Sequence, residues 1–201
     1  MVAATPLYPT RGALPDEEQR VLLDGVSWAT YVMLRDSVDS PGVRMTYLEG
    51  RLEIMSPSRA HEVEKTQIAR LLELFCLERD IPLFGYGSTT FRKEDEARGL
   101  EPDECYARGN DKPVPDFALE VIKSHGAIDK LEVYRGLGVH EVWLFEDGEF
   151  RILELQGAAY VSIANSSVLP EAPLARVAHY ALHADQHRAL REFRDELRRP
   201  S

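Results

Sequence analysis

The stretch PDFALEVIKSHGAIDKLEVY, residues 115–134, places a glutamate at the centre of an apolar run. On an extended strand, the neighbours of Glu120 on the same face are Ala118 and Ile122, because side chains alternate between the two faces. Burying a lone carboxylate is costly, so this side chain must be protonated, paired with a cation or bound to a metal. Glu120 is therefore the first candidate site residue.

A lysine falls on the buried side of the helix that the pattern predicts over residues 125–137. On a helical wheel, Lys130 lies between the apolar residues Tyr134 and Leu137. The helix directly follows the strand that carries Glu120, so an ammonium group is expected close to the carboxylate. Two interpretations stay open: a structural ion pair with Glu120, or a lysine whose stem is buried while its ammonium reaches the rim.

A second carboxylate, Asp103 in EPDECY, lies 17 positions before Glu120 and is separated from it by a turn-rich loop. The two segments can pair as neighbouring strands, and two carboxylates can then converge on one hard cation through oxygen ligands. Asp116 is a rival, but it precedes Glu120 by four residues on the same strand, about 13 Å away, too far for a shared ion. We interpret Asp116 as a strand-entry residue.

Length and composition predict one well-packed domain. The chain has 201 residues, of which 44% are hydrophobic, enough for a single core. We expect an extended N-terminal arm over residues 1–24, the main domain over 25–165, and a C-terminal extension with a surface helix over 166–201. The surface helix should dock through Leu190, Phe193 and Leu197.

The charge balance and the cysteines restrict the function classes. A net charge of −10 counts against a surface built for nucleic acid, although a metal in the site can supply local positive charge. Cys76 and Cys105 offer no bridge framework or zinc spacing, so both are expected to be packing residues in a reducing compartment. With no apolar leader and no membrane span, the expected location is the cytoplasm.

The remaining elements follow from periodicity. Residues 59–79 predict the main core helix, with Ile68, Leu71, Leu72 and Phe75 on one side and Leu74 and Leu77 widening the stripe. MTYLEGRLEIMSPS predicts a hairpin around Glu49 and Gly50. PDFALEVI is apolar on both faces, which is typical of a central covered strand. The order predicts an α/β (α+β) fold with a mixed β-sheet flanked by helices.

Four segments carry a resemblance to a known family. EGRLEIMSPSRAHE, EPDECY, PDFALEVI and GAIDKLEVYRGLGVHEVWLF together resemble the Uma-type endonucleases of bacteria, within the PD-(D/E)xK superfamily of restriction-endonuclease-like phosphodiesterases. The resemblance covers residues 25–165. It implies a restriction endonuclease-like core in which Asp103 and Glu120 bind Mg²⁺ or Mn²⁺, and it implies an endonuclease that hydrolyses phosphodiester bonds in nucleic acid, with DNA as the expected substrate.

This sequence departs from the superfamily pattern at the lysine. The third position of Glu-x-Lys is Ile122, and Lys123 is an odd number of residues from Glu120, so it should face the opposite side of the sheet. The superfamily is known to relocate this lysine onto the neighbouring helix, and Lys130 stands where the Uma-type pattern has its lysine. Lys130 is therefore preferred to Lys123 as the catalytic lysine.

Two further residues have weaker support. His61 aligns with the histidine of the family's SPxxxH stretch and could orient substrate or water, but it could also be a polar residue of the first helical turn. Glu49 could be an auxiliary acidic ligand or a solvated turn residue.

Two rival functions stay open beside the nuclease. One is an inactive binding or scaffold protein in which Glu120 and Lys130 persist as a structural pair, and the other is a metal-dependent hydrolase of smaller phosphodiesters. We expect a homodimer, because cleavage of both strands of a duplex favours two sites, and no membrane partner. Phosphate contacts could come from Arg92, Lys93, Arg108 and Lys112, whereas the C-terminal arginines alternate with acids and predict a salt-bridged face.

Overall fold

The computed structural model describes residues 17–199 except Asp39 and Pro41. Within this part of the chain, two β-sheets and five α-helices form the fold. The helices are α1 Trp28–Ser37, α2 Arg59–Glu78, α3 Lys130–Leu137, α4 Leu174–Ala181 and α5 Gln186–Leu197. The strands are β1 Gln19–Leu23, β2 Arg44–Leu48, β3 Arg51–Ser56, β4 Leu83–Gly85, β5 Phe91–Lys93, β6 Arg98–Leu100, β7 Glu104–Arg108, β8 Phe117–Ile122, β9 Glu141–Glu146, β10 Glu149–Gln156 and β11 Ala159–Ile163.

The larger sheet confirms the predicted mixed sheet. Its order is β11-β10-β9-β8-β7-β4, with β8 and β9 parallel and the other pairs antiparallel. The smaller sheet, β1-β3-β2-β6-β5, is antiparallel throughout. The expectation of one sheet was wrong in this respect, since the short strand β6 pairs with β2 and gives the β2–β3 hairpin a sheet of its own.

Strand β8 is central and covered on both faces, as its composition predicted. Phe117, Leu119 and Val121 pack with α2, α4 and α5 in one core cluster. Ala118 packs on the other face, in a cluster that includes Leu100 of the smaller sheet and residues of α3. Helix α3 therefore lies between the two sheets, and the face of β8 that carries Glu120 points towards it.

Helix α2 begins where its sequence predicted. The Ser58 side chain caps the helix by accepting a hydrogen bond of 3.2 Å from the His61 backbone N–H, and the predicted stripe from Ile68 to Phe75 is buried. Leu77 does not widen the stripe, because its side chain is 77% exposed. It lies about 140° around the helix from Leu72, which turns it away from the core.

The helix predicted over 125–137 starts five residues later. Asp129 accepts a hydrogen bond from the Leu131 N–H and caps α3, so Lys130 is the first helical residue. Residues 125–128 form an irregular loop because the Ala127 N–H donates to the Glu53 side chain, 2.6 Å away, instead of to a helical carbonyl. The loop from β8 to α3, residues 123–129, is thus held by the smaller sheet.

The two ends of the chain are described in part. Residues 1–16 of the predicted arm lie outside the described residues, and the arm's described end contains strand β1, which pairs with β3. In the C-terminal extension, Phe193 and Leu197 of α5 are buried and Leu190 packs partly against the same core. Among the described residues, every helix is too short or too polar to cross a membrane.

Candidate active site

Asp103 and Glu120 face each other across two neighbouring strands. The pairing of β7 with β8 places Glu104 opposite Leu119, and the same register carries Asp103 to the position opposite Glu120. Side chains of directly opposed residues share a face and have Cβ atoms about 5 Å apart. Both carboxylates are 1% exposed, so two acids lie together in the interior.

The Glu120 carboxylate is held by two residues of α3. The Lys130 ammonium donates to Oε2 at 2.6 Å, and the Tyr134 hydroxyl donates to Oε1. Burial raises the pKa of Glu120 and the charge of Asp103 raises it further, whereas Lys130 acts in the opposite direction. Although burial alone would lower the pKa of Lys130, the charge of Glu120 raises it, so the lysine is an ammonium at neutral pH.

The Asp103 carboxylate is held from the opposite side by the backbone and by His61. The Val121 N–H donates to Oδ2 at 2.8 Å, and His61 Nε2 lies 2.9 Å from Oδ1. His61 is 1% exposed, and its Nδ1 lies 2.7 Å from Glu18 Oε1. Burial alone would lower the pKa of His61, but its hydrogen bonds with Asp103 and Glu18 raise it to about 9, so the ring is a cation that bridges two carboxylates.

Three residues of the smaller-sheet side complete the site and escaped the sequence analysis: Glu18, Arg20 and Glu53. Arg20 donates to Glu53 Oε1 at 2.7 Å and to Glu18 Oε2 at 2.9 Å. Glu53 could have been found, because it stands between Leu52 and Ile54 in an apolar strand just as Glu120 does in β8. Glu18 and Arg20 are two residues apart and so share a face, but only pairing with β3 brings them to the site.

A cavity of about 200 Å³ opens beside the Glu120–Lys130 pair. Apolar side chains of β9 and of the segment 122–131 form part of its wall, and the unpaired guanidinium of Arg151 lies among its lining residues. His61 also lines it. The cavity gives a small group access to Glu120, Lys130 and His61.

The other sequence candidates lie away from this cluster. Lys123 pairs with Glu64 of α2 at 2.5 Å, on the face opposite Glu120, as strand parity predicted. Asp116 accepts from the Arg108 N–H at 2.8 Å and organises the entry to β8. The Glu49 side chain is 66% exposed and pairs with Arg98, outside the site.

The surface cations proposed for phosphate contact are already paired with carboxylates. Arg92 meets Asp36 at 2.8 Å, and Lys112 meets Asp116 at 2.6 Å. The same holds for Lys93 with Glu96 and for Arg108 with Glu171. The predicted salt-bridged face near the C-terminus is confirmed by the pairs Arg176–Glu196, Arg188–Glu192, Arg194–Asp195 and Arg198–Glu78.

A group of three potential metal ligands lies elsewhere, at the start of β9. Ligand atoms of His140, Glu141 and Glu154 lie within 4.8 Å of one another. Glu141 is fully buried, however, and its oxygens already accept from the Trp143 indole at 2.8 Å and the Ser166 hydroxyl at 2.6 Å, among other donors. We therefore interpret this carboxylate as a structural acceptor that ties residues 166–168 to the sheet.

Replacing Glu141 by glutamine should remove part of the acid sensitivity of the fold. Burial would raise the pKa of Glu141, but hydrogen bonds from Ser166, Trp143 and Ser167 lower it below its ordinary value. A lowered pKa stabilises the fold above the ordinary value near 4.3 and loses that effect as pH falls. Urea unfolding should show Glu141→Gln less stable by about 2 kcal/mol at pH 7, with a smaller gap at pH 3. A gap that does not depend on pH would contradict this account.

The site fits a divalent cation by its donor set. Asp103 and Glu120 offer carboxylate oxygens, the ligands that Mg²⁺ prefers, and each oxygen keeps lone pairs beyond its present hydrogen bonds. Carboxylates also outnumber cationic groups in the connected network. Its four carboxylates and three cationic groups are Glu18, Glu53, Asp103 and Glu120, and Arg20, His61 and Lys130.

A mixed sheet flanked by helices, with two facing acids on neighbouring strands and a lysine on the next helix, is consistent with a restriction endonuclease-like core. The model of the family Uma2, described as "Putative restriction endonuclease", matches residues 28–196. The chain therefore belongs to this family, as the four sequence segments indicated. No curated relative matches the chain.

Proposed function

We propose that the protein is a metal-dependent endonuclease that hydrolyses phosphodiester bonds in nucleic acid, with DNA as its substrate. The observation that carries the proposal is the buried pair Asp103 and Glu120, opposed across β7 and β8 with Lys130 at 2.6 Å from Glu120. Two such acids with one ammonium are the minimum set for metal-assisted hydrolysis of a phosphodiester.

Asp103 and Glu120 would hold Mg²⁺ or Mn²⁺ through their carboxylate oxygens. When bound, such an ion polarises a phosphoryl oxygen and acidifies a coordinated water. Lys130 can orient the attacking water and offset the charge that develops on phosphorus, because its ammonium lies beside Glu120 on the cavity wall. Tyr134 holds the second Glu120 oxygen and so fixes the orientation of that carboxylate.

His61 is proposed to hold Asp103 and to contact the substrate from the cavity. Its Nε2 meets Asp103 at 2.9 Å, and its ring lines the cavity. As an imidazolium it adds positive charge near the position expected for the phosphate. This environment differs from that of a solvated first-turn residue, which would not lie between two buried acids.

A second candidate function has specific support. Each oxygen of Asp103 and Glu120 already accepts a hydrogen bond, and the surface cations considered above are paired. Both features suit a restriction endonuclease-like protein that binds a partner without catalysis. In that case the Glu120–Lys130 pair serves stability alone.

The test is hydrolysis of supercoiled plasmid and of duplex and single-stranded oligonucleotides with Mg²⁺ or Mn²⁺. We expect cleavage that chelation of the metal abolishes and that Glu120→Gln lowers at least about a thousandfold. Glu64→Gln is the matched control, since Glu64 pairs with Lys123 on the far face of β8. Cleavage that persists in Glu120→Gln, or none in the wild type with either ion, would contradict the proposal.

We also propose that the protein acts as a homodimer, because two sites are needed to cut both strands of a duplex. Light scattering would report the mass in solution. A monomer that nonetheless makes double-strand breaks in one binding event would contradict this part of the proposal.

A further inference from the structure

The segment before α1 supplies part of the site although it lies outside the part of the chain that the family model matches. The match begins at residue 28, whereas Glu18 and Arg20 belong to β1 and the residue before it. The side chain of Glu18 is 2% exposed and that of Arg20 is 20% exposed. These two charged residues are therefore built into the interior beside the family's own site residues.

Arg20 joins the smaller sheet to the loop of residues 123–129. Its Nη1 donates to Glu53 at 2.7 Å. Its Nε donates to the Ser124 hydroxyl and its Nη2 to the Ser124 carbonyl, both at 3.2 Å. The planar guanidinium thus holds a carboxylate and a loop backbone at the same time, which a lysine could not do with the same geometry.

Glu53 holds the same loop one turn closer to α3. Its Oε2 accepts from the Ala127 N–H at 2.6 Å. The loop backbone approaches so closely that a Cβ on Gly126 would lie 2.4 Å from Glu53 Oε1. A glycine is therefore required at this position for the contact to form.

Glu18 links the same group of residues to His61. Its Oε1 lies 2.7 Å from His61 Nδ1, and its Oε2 accepts from the Ser124 hydroxyl and from Arg20. His61 in turn meets Asp103. One connected set of contacts therefore runs from the edge of the smaller sheet to both proposed catalytic acids.

We infer that Glu18, Arg20 and Glu53 form a clamp that positions Lys130 and His61 for catalysis. The inference rests on the proposed function. Lys130 is the first residue of α3 and directly follows the clamped loop, so release of the loop moves the ammonium away from Glu120. A displacement of about 1 Å in a reacting group can cost about a hundredfold in rate.

The test compares Arg20→Gln with Arg51→Gln. Arg51 lies on β3 and its side chain is 44% exposed in a pair with Asp24, so its loss removes an arginine from the same sheet without touching the clamp. We expect amide exchange at Ala127 to become about tenfold faster in Arg20→Gln alone, because local opening of the loop becomes easier. The ammonium signal of Lys130 in ¹H–¹⁵N spectra should shift in the same variant.

Gly126→Ala provides a second variant that removes no charge. Its Cβ would displace the Glu53 carboxylate, so it should reproduce the faster exchange at Ala127 and the shift of the Lys130 signal. In the hydrolysis assay, both clamp variants should lower kcat about tenfold with little change in KM, since the transition-state contact is what changes.

The outcomes separate the clamp from the proposed function. A wild type without hydrolytic activity would defeat the nuclease proposal, yet the exchange and ammonium measurements would still support the clamp if only the clamp variants respond. Equal behaviour of Arg20→Gln and Arg51→Gln in both measurements would overturn the clamp, even in an active nuclease.

Discussion

Replacing Lys130 by alanine is expected to lower the free energy of unfolding by about 3 kcal/mol, since it leaves the Glu120 carboxylate without its cation in the interior. Glu120 is 1% exposed, and after the change its charge would meet only the Tyr134 hydroxyl. The Lys130 side chain is itself 22% exposed, which places the expected loss at the lower end of the range for buried pairs. Urea unfolding at pH 7 measures it.

Lys123→Ala is the matched control for this result. Lys123 makes the same type of contact with Glu64, but at the surface, so its loss should cost less than about 1 kcal/mol. The double variant Glu120→Leu with Lys130→Met should recover most of the stability, because a buried pair can be replaced by apolar groups at little cost. If Lys130→Ala were as stable as Lys123→Ala, the Glu120–Lys130 pair would not be a buried pair in solution.

Millimolar Mn²⁺ is expected to raise the thermal unfolding temperature of the wild type and to leave Asp103→Asn unchanged. A ligand that binds only the folded state stabilises it, by about 2.7 kcal/mol at a hundred times its Kd. Asp103→Asn keeps the size of the side chain and its contact with the Val121 N–H, but it removes one of the two negative charges that would hold the ion. Differential scanning calorimetry with and without Mn²⁺ measures the shift.

Glu141→Gln is the control for this second prediction. Glu141 belongs to the other group of potential ligands, so a shift that disappears in Glu141→Gln and persists in Asp103→Asn would place the ion at the start of β9. That outcome would contradict the proposed site while leaving the fold unaffected. Absence of any shift in the wild type would instead favour the non-catalytic candidate.

The two results together separate the functions. A large loss in Lys130→Ala is expected for both a nuclease and a binding protein, because the buried pair exists in either. Stabilisation by Mn²⁺ that depends on Asp103 is expected for the metal-dependent hydrolase alone. The metal experiment is therefore the one that decides, and the lysine variant tests the geometry on which both candidates depend.

Much of the core was predictable because its periodicity is local. The strand around Glu120 was correctly placed as central, since both of its faces are apolar. The inward position of Lys130 was also correct, although α3 starts at Lys130 and not at residue 125. The error arose because Ala127 donates its N–H to Glu53, a contact between residues 74 apart that helix propensity cannot reveal.

The sequence by itself determined the family, the central strand and the residue types Asp103, Glu120 and Lys130, because alternation and charge in an apolar run are properties of short segments. Only the tertiary structure decided that His61 bridges Asp103 and Glu18, and that Arg20 and Glu53 hold the loop before α3. The physical reason is range: these contacts depend on which strand pairs with β3 and on how the two sheets meet around α3, and no local pattern encodes that arrangement.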